Sequence, residues 1–219
     1  MTHRVDSEVG RLRQAIVHRP DLELKRLTPT NKDDLLFDEI LWVKKARQEH
    51  DAFVDTLVQQ GVDVLLFGDL LRETVAIPEA KKHILDGIFD ERVYGPMAID
   101  ALRNLFDAMP DDELTDFLVA GISKREVLER IEGPKSVWFH AQDIDALLLP
   151  PLPNTLFARD TSAWIYGGVA INSMRKKARM RETLHYEAIY RHHPAFVDGD
   201  FEVWSPGTAS GVATVEGGD

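Results

Sequence analysis

An amide, an aromatic ring and a carboxylate occur close together in one proline-rich stretch of the chain. Asn154, Phe157 and Asp160 stand at or just after a stretch that holds three prolines, within residues 149–160. Proline restricts the backbone and stiffens a loop. We therefore expect the three side chains to share one cleft, the kind of place where loops carry function. Asp160 next to Arg159 also fits an ordinary surface ion pair.

Three other polar patterns have a functional and a plain interpretation. The basic run 175–181 could face a ligand or be a solvated helix face. Residues 216–219, Glu-Gly-Gly-Asp, could belong to a site or form a simple turn. His192 and His193 resemble a ligand pair, but neighbours on a helix point in different directions, so charge at a helix end is the better interpretation.

Composition limits the classes of protein. The chain has 219 residues, with 26 Lys and Arg against 37 Asp and Glu, and a net charge of −11. This acidic balance argues against nucleic-acid binding. No apolar run approaches the roughly 20 residues of a membrane span, and we expect a cytoplasmic protein without a membrane partner. Cysteine is absent, which removes disulfides, thiolate metal ligands and a cysteine nucleophile from these residues.

Apolar spacing predicts strands and helices at both ends of the chain and helices alone between them. Strands are predicted at 12–18, 62–67, 163–166, 169–172 and 201–204. Helices are predicted at 38–60, 70–89, 98–109, 111–119, 123–131 and 176–192. Asp111 and Ser123 are predicted N-caps, and Gly167-Gly168 a hairpin turn that needs positive φ. The order predicts an α/β protein with an all-helical insert.

Five motifs resemble those of arginine deiminases and follow one another in that family's order. They are Ser-Glu-Val-Gly-Arg-Leu-Arg at 7–13, Arg-Leu-Thr-Pro at 26–29, Leu-Leu-Phe-Asp at 35–38, Pro-Asn-Thr-Leu-Phe-Ala-Arg-Asp at 153–160 and Glu-Gly-Gly-Asp at 216–219. Related guanidino-modifying enzymes share the Arg-Asp and Glu-Gly-Gly-Asp elements. The Arg-Leu-Thr-Pro loop and the helical insert indicate arginine deiminase within that superfamily. The chain resembles the N-terminal portion of such an enzyme.

The resemblance implies an α/β propeller built from pentein-like ββαβ modules, with an inserted all-α bundle. On this view the propeller is incomplete within these residues. Residues 1–68 are the expected first module and 69–135 the bundle. Residues 136–219 are the expected second module, truncated at the Glu-Gly-Gly-Asp motif. Uncovered strand edges would favour a homo-oligomer.

The implied reaction is hydrolysis of L-arginine to L-citrulline and ammonia, in arginine degradation, without cofactor or metal. A guanidinium is planar and permanently charged, so carboxylates recognise it well. By match to the family, Asp160 is expected to bind the guanidinium and to act in catalysis, and Glu216 to orient the catalytic His. Asn154 and Arg179 are expected to bind the α-carboxylate, and Phe157 to pack on the aliphatic stem.

Some expectations from the resemblance leave alternatives open. Arg181 lies two residues from Arg179 and could be the matching arginine instead. Residues 35–38 resemble a loop that closes over the substrate. The family's nucleophile is a cysteine near its C-terminus, assisted by a His-x-Asp pair, and neither occurs among the 219 residues. We therefore expect this chain alone not to turn over arginine. The alternative is a non-catalytic guanidino-binding or assembly module.

Overall fold

The structure, a computed structural model, describes residues 3–209 and 214–215. Helices make up 50% and strands 13% of the described residues, a mixture compatible with the predicted α/β class. The strands of the described part are β1 Gln14–Val17, β2 Asp63–Leu66, β3 Ile122–Ser123, β4 Leu147–Leu149, β5 Ser162–Ile165, β6 Gly168–Ile171 and β7 Glu202–Pro206. The α-helices of the same residues are α1 Leu22–Lys25, α2 Val43–Gln59, α3 Phe67–Val75, α4 Pro78–Ile88, α5 Glu91–Tyr94, α6 Pro96–Asp107, α7 Asp111–Ala120, α8 Lys124–Leu128, α9 Val137–Ala141, α10 Ala158–Thr161, α11 Met180–His192 and α12 Pro194–Val197.

The strands form three separate sheets and, within the described residues, close into no barrel. Strands β1 and β2 pair in parallel, with Gln14 opposite Asp63. The helix α2 connects them, as the crossover of a parallel pair requires. Strands β3 and β4 form a short antiparallel pair that joins the helical region to the segment before the prolines. The predicted division into modules and insert stays a prediction, as does the propeller.

Residues 162–206 form a strand, strand, helix, strand unit. Strand β6 is the middle strand, antiparallel to β5 and parallel to β7. Helix α11 connects β6 to β7 and is buried over most of its length, because it packs against α4, α3 and the sheet. The α10 turn, directly before β5, contacts α11 at one end of this unit.

Most buried apolar side chains form one core that runs from the helices into the sheet of β5–β7. Its largest buried members include Phe67, Phe106, Phe139 and Tyr186. A smaller cluster packs α1, the loop after it and the start of α2 together: Leu24, Leu27, Leu35 and Val43. A continuous core of this size explains why the helical region does not stand apart from the sheets. No described helix has the length and apolar character needed to cross a lipid bilayer.

Several boundaries differ from the sequence expectation. The helix predicted at 70–89 is two helices, because Pro78 begins α4 and cannot continue α3. Strand β3 lies inside the stretch predicted as wholly helical, since its pairing with β4 is a tertiary contact without a local pattern. Ser123 is an N-cap as predicted and forms a capping box with Glu126. Asp111 is the first residue of α7 and not its N-cap.

The hairpin turn also differs from its prediction. The positive φ of 49° is at Tyr166, whereas Gly168 is the first residue of β6. A Cβ atom at position 168 would lie 2.6 Å from the Glu202 carbonyl oxygen and from the Trp204 ring. Glycine is needed here for close approach of β7 and not for the turn.

A buried arginine beneath the Asn154–Asp160 turn

The proline-rich stretch folds into two short helical turns. Residues Pro153–Leu156 form a 3₁₀ turn that begins with a proline, where a missing N–H costs nothing. Helix α10 follows at once, with Phe157 between the two turns. The Phe157 N–H donates to the Asn154 carbonyl at 2.9 Å and the Asp160 N–H to the Phe157 carbonyl at 3.2 Å. Backbone hydrogen bonds thus link Asn154, Phe157 and Asp160 in consecutive turns, and the shared cleft of their side chains stays a prediction.

Arg179 lies beneath this turn and contacts each part of it. The side chain is only 8% exposed. Its Nη1 donates to Oδ2 of Asp160. Its Nη2 donates to the carbonyls of Asn154 at 3.2 Å and Phe157 at 3.3 Å. One guanidinium therefore ties the main chain of the turn to the Asp160 carboxylate. The fourth predicted residue lies in the same cluster as the other three.

A second carboxylate holds the far edge of this guanidinium. Glu182 is fully buried and accepts hydrogen bonds from Arg179 Nε at 3.2 Å and Nη2 at 2.9 Å. The hydroxyl of Thr161 donates to the same carboxylate at 2.9 Å. Glu182 stands three residues after Arg179 in the first turn of α11, a spacing that puts two side chains on one helix face. The sequence interpretation missed both Glu182 and Thr161.

The Asp160 carboxylate is fixed but not covered. The Asn172 side chain donates to the Asp160 carbonyl at 2.7 Å, so the end of β6 holds its main chain. The Asp160 side chain is 28% exposed. Within residues 3–209 and 214–215, Oδ2 takes the bond from Arg179 and Oδ1 accepts none. One carboxylate oxygen is therefore open to a further donor.

Asn154 and Phe157 border this carboxylate in different ways. The Asn154 amide is buried and donates to the Leu35 carbonyl at 2.7 Å. Leu35 is itself packed in the smaller core cluster, and the next residue, Leu36, has a φ of 64°. The loop at 35–38 thus touches the predicted site. Phe157 is 50% exposed and offers an apolar surface beside Asp160.

The two candidate arginines are separated clearly. Arg181 donates to the Pro150 carbonyl, and none of its described hydrogen bonds reaches Asp160, Asn154 or Phe157. Burial lowers the pKa of Arg181 to about 10, since its Nη1 is buried without a described partner. The geometry favours Arg179 as the arginine of this site.

Charge at the site is held in a buried network. Burial raises the pKa of Glu182, and the Arg179 guanidinium and the Thr161 hydroxyl oppose that rise. Burial would by itself lower the pKa of Arg179, but the bonds to Glu182 and Asp160 outweigh it and raise that pKa. Two carboxylates and one guanidinium leave −2 + 1 = −1 when all are ionised. A site with this charge favours a cation.

A comparison with protein families matches residues 33–219 to the family described as arginine deiminase. The match covers well over half of the chain. The chain belongs to the arginine deiminase family. Membership supports a hydrolase that acts on guanidino groups, a role in arginine metabolism, and arginine as the substrate. The match includes Asn154, Phe157, Asp160 and Arg179, whose individual roles stay predictions.

The last predicted site residue of this arginine deiminase family member is Glu216, while the Ser162 hydroxyl and the His193 ring have structural partners. Glu216 lies outside the described residues. Ser162 is buried and its hydroxyl lies 2.5 Å from that of Tyr190, so it belongs to the core. His193 pairs with Glu73 at 3.0 Å. Among the described residues, no group of three His, Cys, Asp or Glu side chains is arranged to hold a metal ion.

Proposed function

We propose that this chain provides the guanidinium-recognising part of an arginine deiminase site and binds L-arginine at Asp160. The observation that carries the proposal is the half-open Asp160 carboxylate: Oδ2 is held by Arg179, and Oδ1 has no donor among the described residues. A charge-assisted N–H···O bond from a substrate guanidinium to Oδ1 is among the stronger hydrogen bonds. The net charge of the cluster adds a general attraction for the cation.

The neighbours of Asp160 suit the rest of an arginine molecule. The exposed ring of Phe157 can pack on its aliphatic stem. By resemblance, Asn154 and Arg179 are proposed to bind the α-carboxylate. A guanidinium has five N–H bonds. The described contacts of Arg179 leave one N–H on Nη1 for that carboxylate. Binding by these groups alone should therefore be weak, in the millimolar range of dissociation constants.

Hydrolysis needs a nucleophile that attacks the guanidinium carbon. The resemblance implies a cysteine, and none of the 219 residues is one. A serine without a positioned base is a poor substitute. We propose that the chain by itself binds arginine but does not hydrolyse it. Citrulline released by the purified chain, with a heavier contaminant excluded by intact mass, would contradict this part of the proposal.

The test of binding is calorimetric titration of the chain with L-arginine, L-citrulline and agmatine. Citrulline keeps the α-amino acid end but has a neutral ureido group, so we expect no measurable binding. Agmatine keeps the guanidinium without the carboxylate, so it should bind no better than arginine. Equal binding of citrulline and arginine would exclude recognition of the guanidinium charge. Micromolar arginine binding would instead favour the alternative of a dedicated guanidino-binding module.

We also propose that the chain self-associates. The β1–β2 sheet has only two strands in the described part of the chain, so their outer edges present unpaired backbone groups. Exposed apolar side chains on β5–β7 and the turn between β5 and β6 add to this tendency: Ile165, Tyr166, Val203 and Trp204. Sedimentation velocity over a range of concentrations tests it, and a monomer at every concentration contradicts it.

A further inference from the structure

The Glu182 side chain is fully buried. It is linked to the partly exposed carboxylate of Asp160 through Arg179, which donates hydrogen bonds to both. Both Glu182 oxygens lie 3.2 Å from Arg179 Nε, and Oε2 also receives Nη2 and the Thr161 hydroxyl. A buried carboxylate is costly unless it is paired and hydrogen-bonded. Arg179 supplies that pairing, and the two side chains stabilise each other's charged form.

The shape of the guanidinium turns this pairing into a directional constraint. The five N–H bonds of an arginine point in a fixed planar fork. With the Nε edge directed at Glu182, Nη1 reaches Asp160 through a single hydrogen bond to Oδ2. Without Glu182, the Nε–H would lose its described acceptor and only the bonds of Nη2 to the Asn154 and Phe157 carbonyls would remain on this edge. Arginine and aspartate commonly form two parallel bonds. Such a bidentate pair would occupy Oδ1 as well.

We propose that Glu182 is a positioning residue for arginine binding: by holding the Nε edge of Arg179, it limits Arg179 to one oxygen of Asp160 and keeps the other oxygen open to the substrate guanidinium. Glu182 itself does not touch the substrate. This inference rests on the proposed function of Asp160 as the guanidinium-binding carboxylate.

The chain offers a matched control on the same helix. Glu187 is also buried in α11, pairs with Arg191 at 2.7 Å and accepts a hydrogen bond from the Thr208 hydroxyl. It thus has the same two kinds of partner as Glu182 but does not contact Arg179. Glu182→Gln and Glu187→Gln therefore each remove one buried negative charge that is paired with an arginine, although Arg191 is 52% exposed and Arg179 only 8%. Both should lower the melting temperature.

Calorimetric titration with L-arginine separates positioning from a general loss of stability. We expect Glu182→Gln to weaken arginine binding roughly tenfold, the value of one hydrogen bond to a charged group. Glu187→Gln should bind as the unchanged chain does. Thr161→Val, which removes only the hydroxyl donor to Glu182, should weaken binding by a smaller factor. Unchanged binding in Glu182→Gln, or an equal loss in Glu187→Gln, overturns the inference while leaving the proposed function intact.

A second measurement decides the positioning of Arg179 without any ligand. The Arg179 Nε–H signal in ¹⁵N NMR spectra can be assigned by its loss in Arg179→Lys. A buried, hydrogen-bonded Nε–H exchanges slowly with water, and we expect Glu182→Gln, but not Glu187→Gln, to speed that exchange. No change in Glu182→Gln would overturn the positioning role. If the signal responds as expected but the unchanged chain does not bind arginine, the proposed function of Asp160 fails instead.

Discussion

Arg179 joins Asp160 through one guanidinium nitrogen and leaves the second carboxylate oxygen of Asp160 without a donor among the described residues. The protein thus presents its own guanidinium to the carboxylate that the family resemblance assigns to a substrate guanidinium. The two positive groups need not exclude each other, because a carboxylate has about four acceptor sites on two oxygens. Sharing of one carboxylate by two guanidinium groups is the central feature of the proposed site.

Removal of the Asp160 charge should strongly weaken arginine binding at a modest cost in stability. In Asp160→Asn, Arg179 keeps its bonds to Glu182, so we expect a loss of about 1–2 kcal/mol in the free energy of unfolding. Calorimetry should find arginine affinity at least about tenfold lower.

Asp145→Asn is the matched control for this change. Asp145 also pairs with an arginine, in this case with Nε of Arg125 at 2.8 Å, but both side chains are more than half exposed. Exposed pairs of this kind contribute little, so stability should change by less than about 0.5 kcal/mol and binding not at all. Arginine binding by Asp160→Asn at the affinity of the unchanged chain would remove Asp160 from the site.

Arg181 should prove dispensable for binding. Burial lowers its pKa to about 10, so the fold disfavours its charge. Methionine keeps most of the apolar stem, and replacement of a poorly paired buried charge by an apolar side chain is often neutral or stabilising. We expect Arg181→Met to leave arginine binding unchanged and the melting temperature unchanged or a few degrees higher, by calorimetry and thermal melting.

Arg179→Met is the comparison for Arg181→Met. It leaves Glu182 as a buried carboxylate without its cation, and such a change costs about 3–5 kcal/mol. If the effects of the two substitutions were reversed, Arg181 would be the residue that corresponds to the family's arginine.

Local patterns in the sequence predict most elements but not the contacts that end them. The helix expected from residue 176 begins at Met180. Arg179 is its N-cap residue, and the Arg179 side chain donates a hydrogen bond to Asp160. The pair β3–β4 has no pattern of its own, since two residues suffice once Leu149 lies opposite Ile122. Strand and helix type follow from periodicity, whereas these boundaries depend on distant residues.

The site shows the same division. Asn154, Phe157 and Asp160 share one short motif, so the sequence can place them together. The spacing does not show whether Arg179 or Arg181 faces the site. Side chains two positions apart on a helix point in directions that differ by roughly 200°, so only one of the two can face it. A glutamate is rarely fully buried, so apolar periodicity gives no reason to expect Glu182 inside. The three-residue spacing from Arg179 to Glu182 is the one signal that could have indicated it.

His185 should make stability depend on pH. Burial, and less so the nearby Arg181, lowers the pKa of His185 from 6.5 to about 3. Below about pH 6.5, His185 is protonated in the unfolded chain but stays neutral in the folded chain. The free energy of unfolding therefore falls as pH falls from 6.5 toward 3. One such group contributes a slope of about 1.4 kcal/mol per pH unit in that window.

His185→Leu is the variant that isolates this slope. Urea unfolding at pH 7.5, 6.0, 5.5 and 5.0 should show a shallower decline with acidification than the unchanged chain, by about that slope. His192→Gln is the control, because its ring is partly exposed and its pKa is lowered less. An equal decline in the unchanged chain and in His185→Leu would mean that His185 takes up a proton in the folded state.

Gly121 should tolerate no side chain. Its φ of 72° and ψ of −176° fall in a region that is essentially restricted to glycine. A Cβ atom there would lie 2.1 Å from the Leu149 carbonyl oxygen, a backbone atom of β4 that leads directly into the proline-rich turn. Because neither backbone can yield cheaply, we expect Gly121→Ala to cost at least about 3 kcal/mol in the free energy of unfolding, measured with urea.

Gly68→Ala is the control for this change. A Cβ atom at position 68 meets nothing within 4 Å in helix α3, so that variant should be neutral or up to about 1 kcal/mol more stable. Equal stability of the two variants would show that the close approach of α7 to β4 is not required for folding.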